Sequence, residues 1–199
     1  MAIETEIKVR LSNLGAFRGQ LQAMDSILLS SRHFEDNFLL DFPDGRMHAR
    51  ASLIRIRIAG DKAWITFKGP PRLEGVFKTR EELETAVGDG TLVLQILEKL
   101  GLQVSFRYQK YRQEYALSVR CNGREKVLVS LDETPVGCFA EFEGSEDAIR
   151  AAAAAMGLDE SKFLRTSYYS LYLQFCSERG EFPSHMVFPV DEPATNLPI

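Results

Sequence analysis

Along the first strand-like segment, Ile3-Glu4-Thr5-Glu6-Ile7-Lys8-Val9-Arg10-Leu11, charge and apolarity alternate. Alternate side chains of a strand face opposite sides. Glu4, Glu6, Lys8 and Arg10 therefore share one face, and Ile3, Ile7, Val9 and Leu11 the other. Extended segments of the same kind are expected over 30–42, 53–58, 63–68, 76–85, 106–119, 126–132 and 137–143. Phe42-Pro43-Asp44-Gly45 marks a turn, Gly60-Asp61 closes a hairpin, and Gly69-Pro70-Pro71 ends the strand after it. A period of 3.6 replaces the period of two in four places. Asn13 caps a helix to about Met24 with Leu14, Phe17, Leu21 and Met24 on one side, and Asp89 opens a second through Leu92, Leu94, Ile96, Leu97 and Leu100, stopped by Gly101. Ser145 caps an alanine-rich helix ending at Gly157, and a last helix covers Thr166 to Phe175. From Glu178 the chain turns polar and proline-bearing, which predicts a domain over 1–177 and a loosely held tail over 178–199.

Sorting the strands by parity separates two chemistries. Beside Arg55 and Arg57 the other parity reads Ile54, Ile56 and Ile58; beside Asp132 it reads Val127, Val129 and Leu131. Apolar faces of that quality must be buried, and the amphipathic helices can cover them. The charged faces carry Lys8, Arg10, Arg55, Arg57, Lys68, Arg80, Lys110 and Arg112 together with Glu4, Glu6, Glu82, Glu84, Asp132, Glu141 and Glu143. Mixed signs on so many strands predict a barrel whose inside is ionic. Isolated buried charges cost several kcal/mol each, so such an interior must be paired, hydrated or filled by a ligand.

Composition narrows the function. The 199 residues make one domain with a small appendage, and a 45% hydrophobic content supports a full core. A formal net charge of -4 argues against broad nucleic-acid binding, though not against a local basic pocket. Cys121, Cys138 and Cys176 fit no disulfide or zinc framework, so reduced thiols are expected. With neither a signal-peptide pattern nor an apolar run of about 18 residues, the chain reads as cytoplasmic, with no membrane partner.

Converging Lys and Arg side chains suit a dense polyanion, and phosphate matches the guanidinium fork. The acidic set holds neither His nor Cys, and hard oxygen ligands select Mg²⁺ or Mn²⁺ over zinc. Both sets thus belong to one site for a metal-bound polyphosphate, where chemistry would be in-line attack at phosphorus.

These residues resemble the CYTH superfamily, the triphosphate tunnel metalloenzymes, which include class IV adenylyl cyclases and thiamine triphosphatases. Glu4-Thr5-Glu6-Ile7-Lys8 is similar to its E-x-E-x-K signature, Leu53-Ile54-Arg55-Ile56-Arg57 to its L-R-I-R strand, and Thr66-Phe67-Lys68-Gly69-Pro70 to its T-x-K-G-P turn. Lys78-Thr79-Arg80-Glu81-Glu82-Leu83-Glu84, Lys110-Tyr111-Arg112, Leu131-Asp132-Glu133 and Glu141-Phe142-Glu143 follow in the family's order, and Arg165 with Ser167-Tyr168 resembles its closing helix. The resemblance spans 3–173. It implies an α+β fold, an eight-stranded antiparallel tunnel-like barrel with a charged interior and helices outside. It implies that Glu4, Glu6, Asp132, Glu141 and Glu143 hold one or two divalent ions, with Glu4, Glu6 and Lys8 at the chemistry. Lys8, Arg55, Arg57, Lys68, Arg80, Lys110, Arg112 and Arg165 would clamp the triphosphate of a small-molecule partner. Glu82 and Glu84 match the pattern either as ligands or as groups orienting neighbouring arginines. The implied reaction is hydrolysis of inorganic or thiamine triphosphate. The alternatives are cyclisation of ATP to cyclic AMP and pyrophosphate, and polyphosphate binding without catalysis. Monomer and homodimer both suit the family.

Other chemistry-bearing residues have plainer readings. Arg10 suits the tunnel mouth or solvent, and His33, His48 and His185 are ordinary residues of their segments. Asp36 and Asp41 suit a turn or rim, Trp64 suits core packing, and Ala151 to Ala155 reflects helix propensity.

Overall fold

The computed structural model describes residues 2–72, 75–121 and 123–189. Eight strands close into one barrel: β1 (Ala2–Leu11), β2 (Ser26–Asp41), β3 (Leu53–Ala59), β4 (Lys62–Lys68), β5 (Lys78–Val87), β6 (Gln103–Arg120), β7 (Arg124–Thr134) and β8 (Gly137–Glu143). Their order around the wall is β1-β5-β4-β3-β2-β6-β7-β8. All neighbours are antiparallel, and β8 pairs back onto β1 through Glu6 opposite Glu143 and Lys8 opposite Glu141. The expected eight-stranded α+β barrel is the observed one.

Helices α1 (Leu14–Ala23), α3 (Gly90–Lys99) and α4 (Glu146–Ala155) pack outside, and each has the predicted cap: Asn13, Asp89 and Ser145 accept from backbone N–H groups three residues on. Under α1 and α4 the outward parity of β1, β6, β7 and β8 forms the main core, where Ile7, Val9, Val129 and Phe142 meet Phe17, Leu21, Ile149 and Ala152. Each fully buried large side chain there contributes about 1.5–3 kcal/mol. Under α3 the core is Leu40, Ile56 and Leu102. Gly90 begins α3 where a Cβ would stand 2.7 Å from Ala63 and 2.9 Å from Ile58, so only glycine lets the helix approach the β3–β4 hairpin this closely.

Helix α5 (Tyr168–Arg179), capped by Ser167, reaches four residues past the predicted end and stops at Gly180 in the left-handed conformation. It closes one end of the bore, where Tyr168 and Leu171 pack with Phe106, Tyr108 and Phe139. A helix of four residues, α2 (Arg46–Ala49), was not expected; it follows the predicted turn and stands at the same end.

The loosely held tail needs correction over its described part. Ahead of Tyr111, β6 has no partner in β7, and the tail takes that edge. Met186 N–H donates to Arg107 O at 3.0 Å and Gln109 N–H to Met186 O at 2.9 Å, and the Met186 side chain is fully buried. An unpaired strand edge is costly and adhesive, which explains why a polar segment docks there. Residues 190–199 lie outside the described part, and the expectation for them with it.

Candidate active site

The inward parity of the strands lines a cavity of 1040 Å³ that runs through the barrel. Glu4, Glu6, Lys8, Arg55, Arg57, Lys68, Arg80, Lys110, Arg112, Glu141, Glu143 and Arg165 all reach it. Of the predicted site residues Asp132 alone does not: it is fully buried in the wall. Arg10 stands at the barrel end, as expected, donating to Val136 O at 2.9 Å with its guanidinium over the Phe139 ring.

Cross-strand register decides who pairs with whom. Arg112 lies opposite Asp132, and its Nε and Nη2 donate to the two carboxylate oxygens at 2.7 and 2.6 Å. Lys110 at 3.0 Å and the Tyr168 hydroxyl at 2.6 Å complete the shell of Asp132. Lys8 meets Glu141 at 2.5 Å, and Arg112 bonds Glu141 as well. Burial, the largest influence on the Glu141 carboxyl, opposes ionisation, but Lys8, Arg112 and Lys110 together hold it well below the carboxylate range. Beneath this network the Lys8 ammonium lies 4.1 Å from the centroid of the Tyr168 ring.

Glu143 and Glu4 are poorly compensated. The Glu143 carboxyl is pushed up to about 7, first by burial and then by Glu4, with Glu6 and Glu82 adding to it. Burial and a hydrogen bond with Glu82 push Glu4 up as well. Lys68 bridges Glu4 and Glu82 at 2.8 and 2.5 Å, and Lys78 holds Glu6 at 2.5 Å. With the lysines in these positions, no group of three or more His, Cys, Asp or Glu side chains among the described residues is set to hold a metal. The donor set still suits one. Hard oxygens gathered in a partly buried, mutually repelling group favour a divalent cation among them.

Glu84 accepts from Arg55 at 3.1 Å and from the Thr66 hydroxyl at 2.7 Å, while Arg57 lies 3.4 Å away, so it orients the arginines of β3. Glu82 stands against Lys68 and Arg55.

Three inward residues escaped the sequence reading. Lys78 shares its parity with Arg80, which was signal enough; burial outweighs Glu6 and, with Lys8 and Arg80 nearby, lowers its pKa. Glu35 is 2% exposed against Lys110 at 3.5 Å and Arg57 at 3.6 Å. Asn37, opposite Arg57 and Tyr108, is fully buried with neither amide atom hydrogen-bonded. Nothing in the β2 sequence separates these two from surface polars. Asp41 is a rim residue as expected: its carboxylate accepts from the N–H groups of Phe42, Met47 and His48 at 2.7, 2.9 and 2.9 Å and so builds α2. Trp64 lies near the Arg57 guanidinium, 5.9 Å from ring to cation.

Several known proteins are similar to this chain. A putative adenylate cyclase of Methanocaldococcus jannaschii is 26% identical over 180 residues, 85% of this chain and 98% of that one. The structure of a putative adenylate cyclase from Vibrio parahaemolyticus superposes with a TM-score of 0.71 at 20% identity, covering 85% of this chain and 97% of the other. A putative adenylyl cyclase from Hippeastrum, described as having a dominant triphosphatase activity, superposes with a TM-score of 0.63 at 16% identity, covering 92% and 98%. Both structural likenesses concern the fold. The CYTH domain pattern matches residues 2–168. That stretch takes in all eight strands and every inward residue described above, and on it the chain belongs to the CYTH domain family.

Proposed function

We propose that the protein is a divalent-metal-dependent hydrolase of a triphosphate-bearing small molecule. The observation that carries this reading is the division inside one cavity between a cationic clamp (Lys8, Arg55, Arg57, Lys68, Arg80, Lys110, Arg112) and a repulsive carboxylate group around Glu143. Triphosphatase activity described for the Hippeastrum relative supports it.

Glu4, Glu6 and Glu143 would hold the ion. We assign Asp132 and Glu141 from the predicted ligand set to a different task, because cations already neutralise both: they fix Lys8, Lys110 and Arg112 in the wall. When bound, a divalent ion would polarise phosphoryl oxygens and acidify the attacking water. The chain supplies the rest. Arg55, Arg57, Arg80 and Arg112 offer fork-shaped donors, and Lys8, Lys68 and Lys110 act as point charges on the non-bridging oxygens. Fixed by carboxylates, Lys8, Arg55, Arg57, Lys68, Lys110 and Arg112 need little reorganisation as negative charge shifts during phosphoryl transfer. Arg165, exposed and donating to Gly75 O at 2.8 Å, would meet the outer phosphate from the rim.

Cyclisation of ATP is the second reading, supported by the name of the Methanocaldococcus relative. The protein is incubated with Mg²⁺ or Mn²⁺ and, separately, inorganic triphosphate, thiamine triphosphate and ATP, and products are resolved by chromatography. Orthophosphate with the shortened substrate supports hydrolysis; cyclic AMP with pyrophosphate replaces it by cyclisation.

A further inference from the structure

Tyr108 and Tyr168 both line the bore and are buried, yet their hydroxyls have opposite surroundings. Tyr168 donates to Asp132 at 2.6 Å. Burial, then Asp132 and Glu141, push its pKa well above the ordinary 10, so its proton is held in the wall. Tyr108 faces cations: Arg55 and Arg57 of β3 and Lys110 of its own strand, with Arg55 hydrogen-bonded to its hydroxyl. Burial favours the neutral phenol, but these three charges outweigh it and lower the pKa. From the other elements packed here, β2 sets Asn37 opposite Tyr108 and α5 brings the Tyr168 ring to 5.9 Å. Glu35, the nearby carboxylate of β2, is turned to Lys110 at 3.5 Å and Arg57 at 3.6 Å.

Several buried donors in this corner have no partner: Nε of Arg55, Nε of Arg57 and the Asn37 amide. Buried polar groups are nearly always hydrogen-bonded, and phosphate oxygens are the acceptors that these donors suit. Strand order fixes where the corner lies. In the closed ring of eight, β2 stands opposite β1 and β3 opposite β8. Glu4, Glu6 and Glu143 project from β1 and β8. Arg55, Arg57 and Asn37 stand on the facing strands, and Tyr108 on β6 beside them. In-line transfer sets the attacking water and the departing oxygen on opposite sides of phosphorus. Water on the carboxylate side therefore directs the departing oxygen towards Tyr108.

That oxygen leaves with added negative charge. Lysines and arginines can balance it as ions, but they keep their protons: facing carboxylates outweigh burial at Lys8 and Arg112 and raise both pKa values. Tyr108 can hand over a whole proton, because Arg55, Arg57 and Lys110 balance the phenolate it becomes. We propose that Tyr108 is a catalytic acid of the hydrolysis, donating its hydroxyl proton to the bridging oxygen as the diphosphate departs. The role rests on the triphosphate hydrolysis proposed above. In the step, the water oxygen bonds to the terminal phosphorus, and the bond from that phosphorus to the bridging oxygen breaks. The phenolic proton moves to the bridging oxygen. The proton shed by the water passes to solvent, and solvent restores the phenol after product release.

Tyr108→Phe keeps the ring that stacks on Phe106 at 5.9 Å and removes only the hydroxyl. With Mg²⁺ and whichever triphosphate the parent hydrolyses, kcat should fall about 100-fold while KM stays within about threefold, as removal of a general acid predicts. Heavy water should slow the parent, and Tyr108→Phe should lose that isotope effect, because the proton in flight is gone. Separately, tyrosinate absorbance of the metal-free proteins is followed against pH. The first tyrosine to ionise in the parent should be missing from Tyr108→Phe, and inorganic triphosphate should delay its ionisation in the parent. A variant that keeps kcat, or changes KM alone, overturns the proposal and leaves the hydrolase standing. An isotope effect or a tyrosine titration identical in both proteins overturns it too. A parent that hydrolyses no triphosphate retires the hydrolase and the acid together.

Discussion

Lys68 Nζ holds both oxygens of the Glu4 carboxylate, at 2.8 and 3.0 Å, so a clamp lysine occupies a carboxylate that the ion would need. Metal and triphosphate would each take one member of this pair from the other. Lys68→Met should therefore shift two affinities in opposite directions: Mn²⁺ binds the metal-free protein more tightly, and inorganic triphosphate binds about tenfold more weakly, as expected for a lost charged contact. Titrating each ligand separately by calorimetry reads both. A manganese affinity unchanged by the substitution contradicts the competition.

Asp132 anchors where the resemblance implies a metal ligand. Removing it would leave the buried Tyr168 hydroxyl and Arg112 Nε without a partner, and leave Lys110 and Arg112 only Glu35 and Glu141 respectively. Asp132→Ala is predicted to cost about 3–5 kcal/mol in urea denaturation, and Tyr168→Phe, which removes one hydroxyl, about 1–2 kcal/mol. Manganese affinity should be unchanged in Tyr168→Phe.

Ionised Glu143 works against the fold. Its folded-state pKa of about 7 lies above the ordinary 4.5, so the fold disfavours its ionisation; this penalty is absent below about pH 4.5 and complete above about pH 7. In chelator at pH 8, Glu143→Gln should be more stable than the parent. Because this side chain reaches solvent, the gain is about 1 kcal/mol, well below the full shift. At pH 4 the two should melt together. Metal-dependent turnover should nonetheless be lost, since the destabilising carboxylate is the proposed ligand.

His33 and Glu35 give the fold a second pH dependence of the same sign, in a higher pH window. The His33 ring lies 3.5 Å from the Glu35 carboxylate, whose hydrogen bond raises the imidazole above its ordinary 6.5. A raised histidine contributes stability fully below its unfolded pKa, and loses it as pH rises through the folded value. His33→Gln should flatten the fall in melting temperature between pH 6 and pH 8. An identical slope in parent and variant contradicts this assignment.

The barrel was legible because its charges obey parity. Glu4, Glu6 and Lys8 face inward while Ile7 and Val9 pack under α1, and β3 repeats the division with Arg55, Arg57 and Ile56. Parity failed where the strand itself is irregular. β2 begins at Ser26, but Ile27, Leu28 and Leu29 are all exposed and the register shifts between Leu28 and His33, so no period of two announces that part. Inward direction could be read, whereas partner could not. Asp132 and Glu143 are both carboxylates of one parity class, yet Arg112 pairs with the first and Tyr168 donates to it, while Glu4 and Glu6 repel the second. Those neighbours come from register and from a helix 36 residues downstream of Asp132. The tail and α2 were missed because an open edge of β6 and the single side chain of Asp41 shape them, not a periodic pattern of their own.

Glu4 is proposed to serve a metal-dependent hydrolysis inside the barrel. Orthophosphate release from inorganic triphosphate, thiamine triphosphate and ATP is measured with Mg²⁺ or Mn²⁺ for the parent and for Glu4→Gln, alongside thermal melts of both. The parent should release orthophosphate only with metal, and Glu4→Gln should lose at least about 100-fold of that rate while melting within a few degrees of the parent. Retained activity in a folded Glu4→Gln protein, or metal-independent release by the parent, would contradict a metal-dependent role for Glu4.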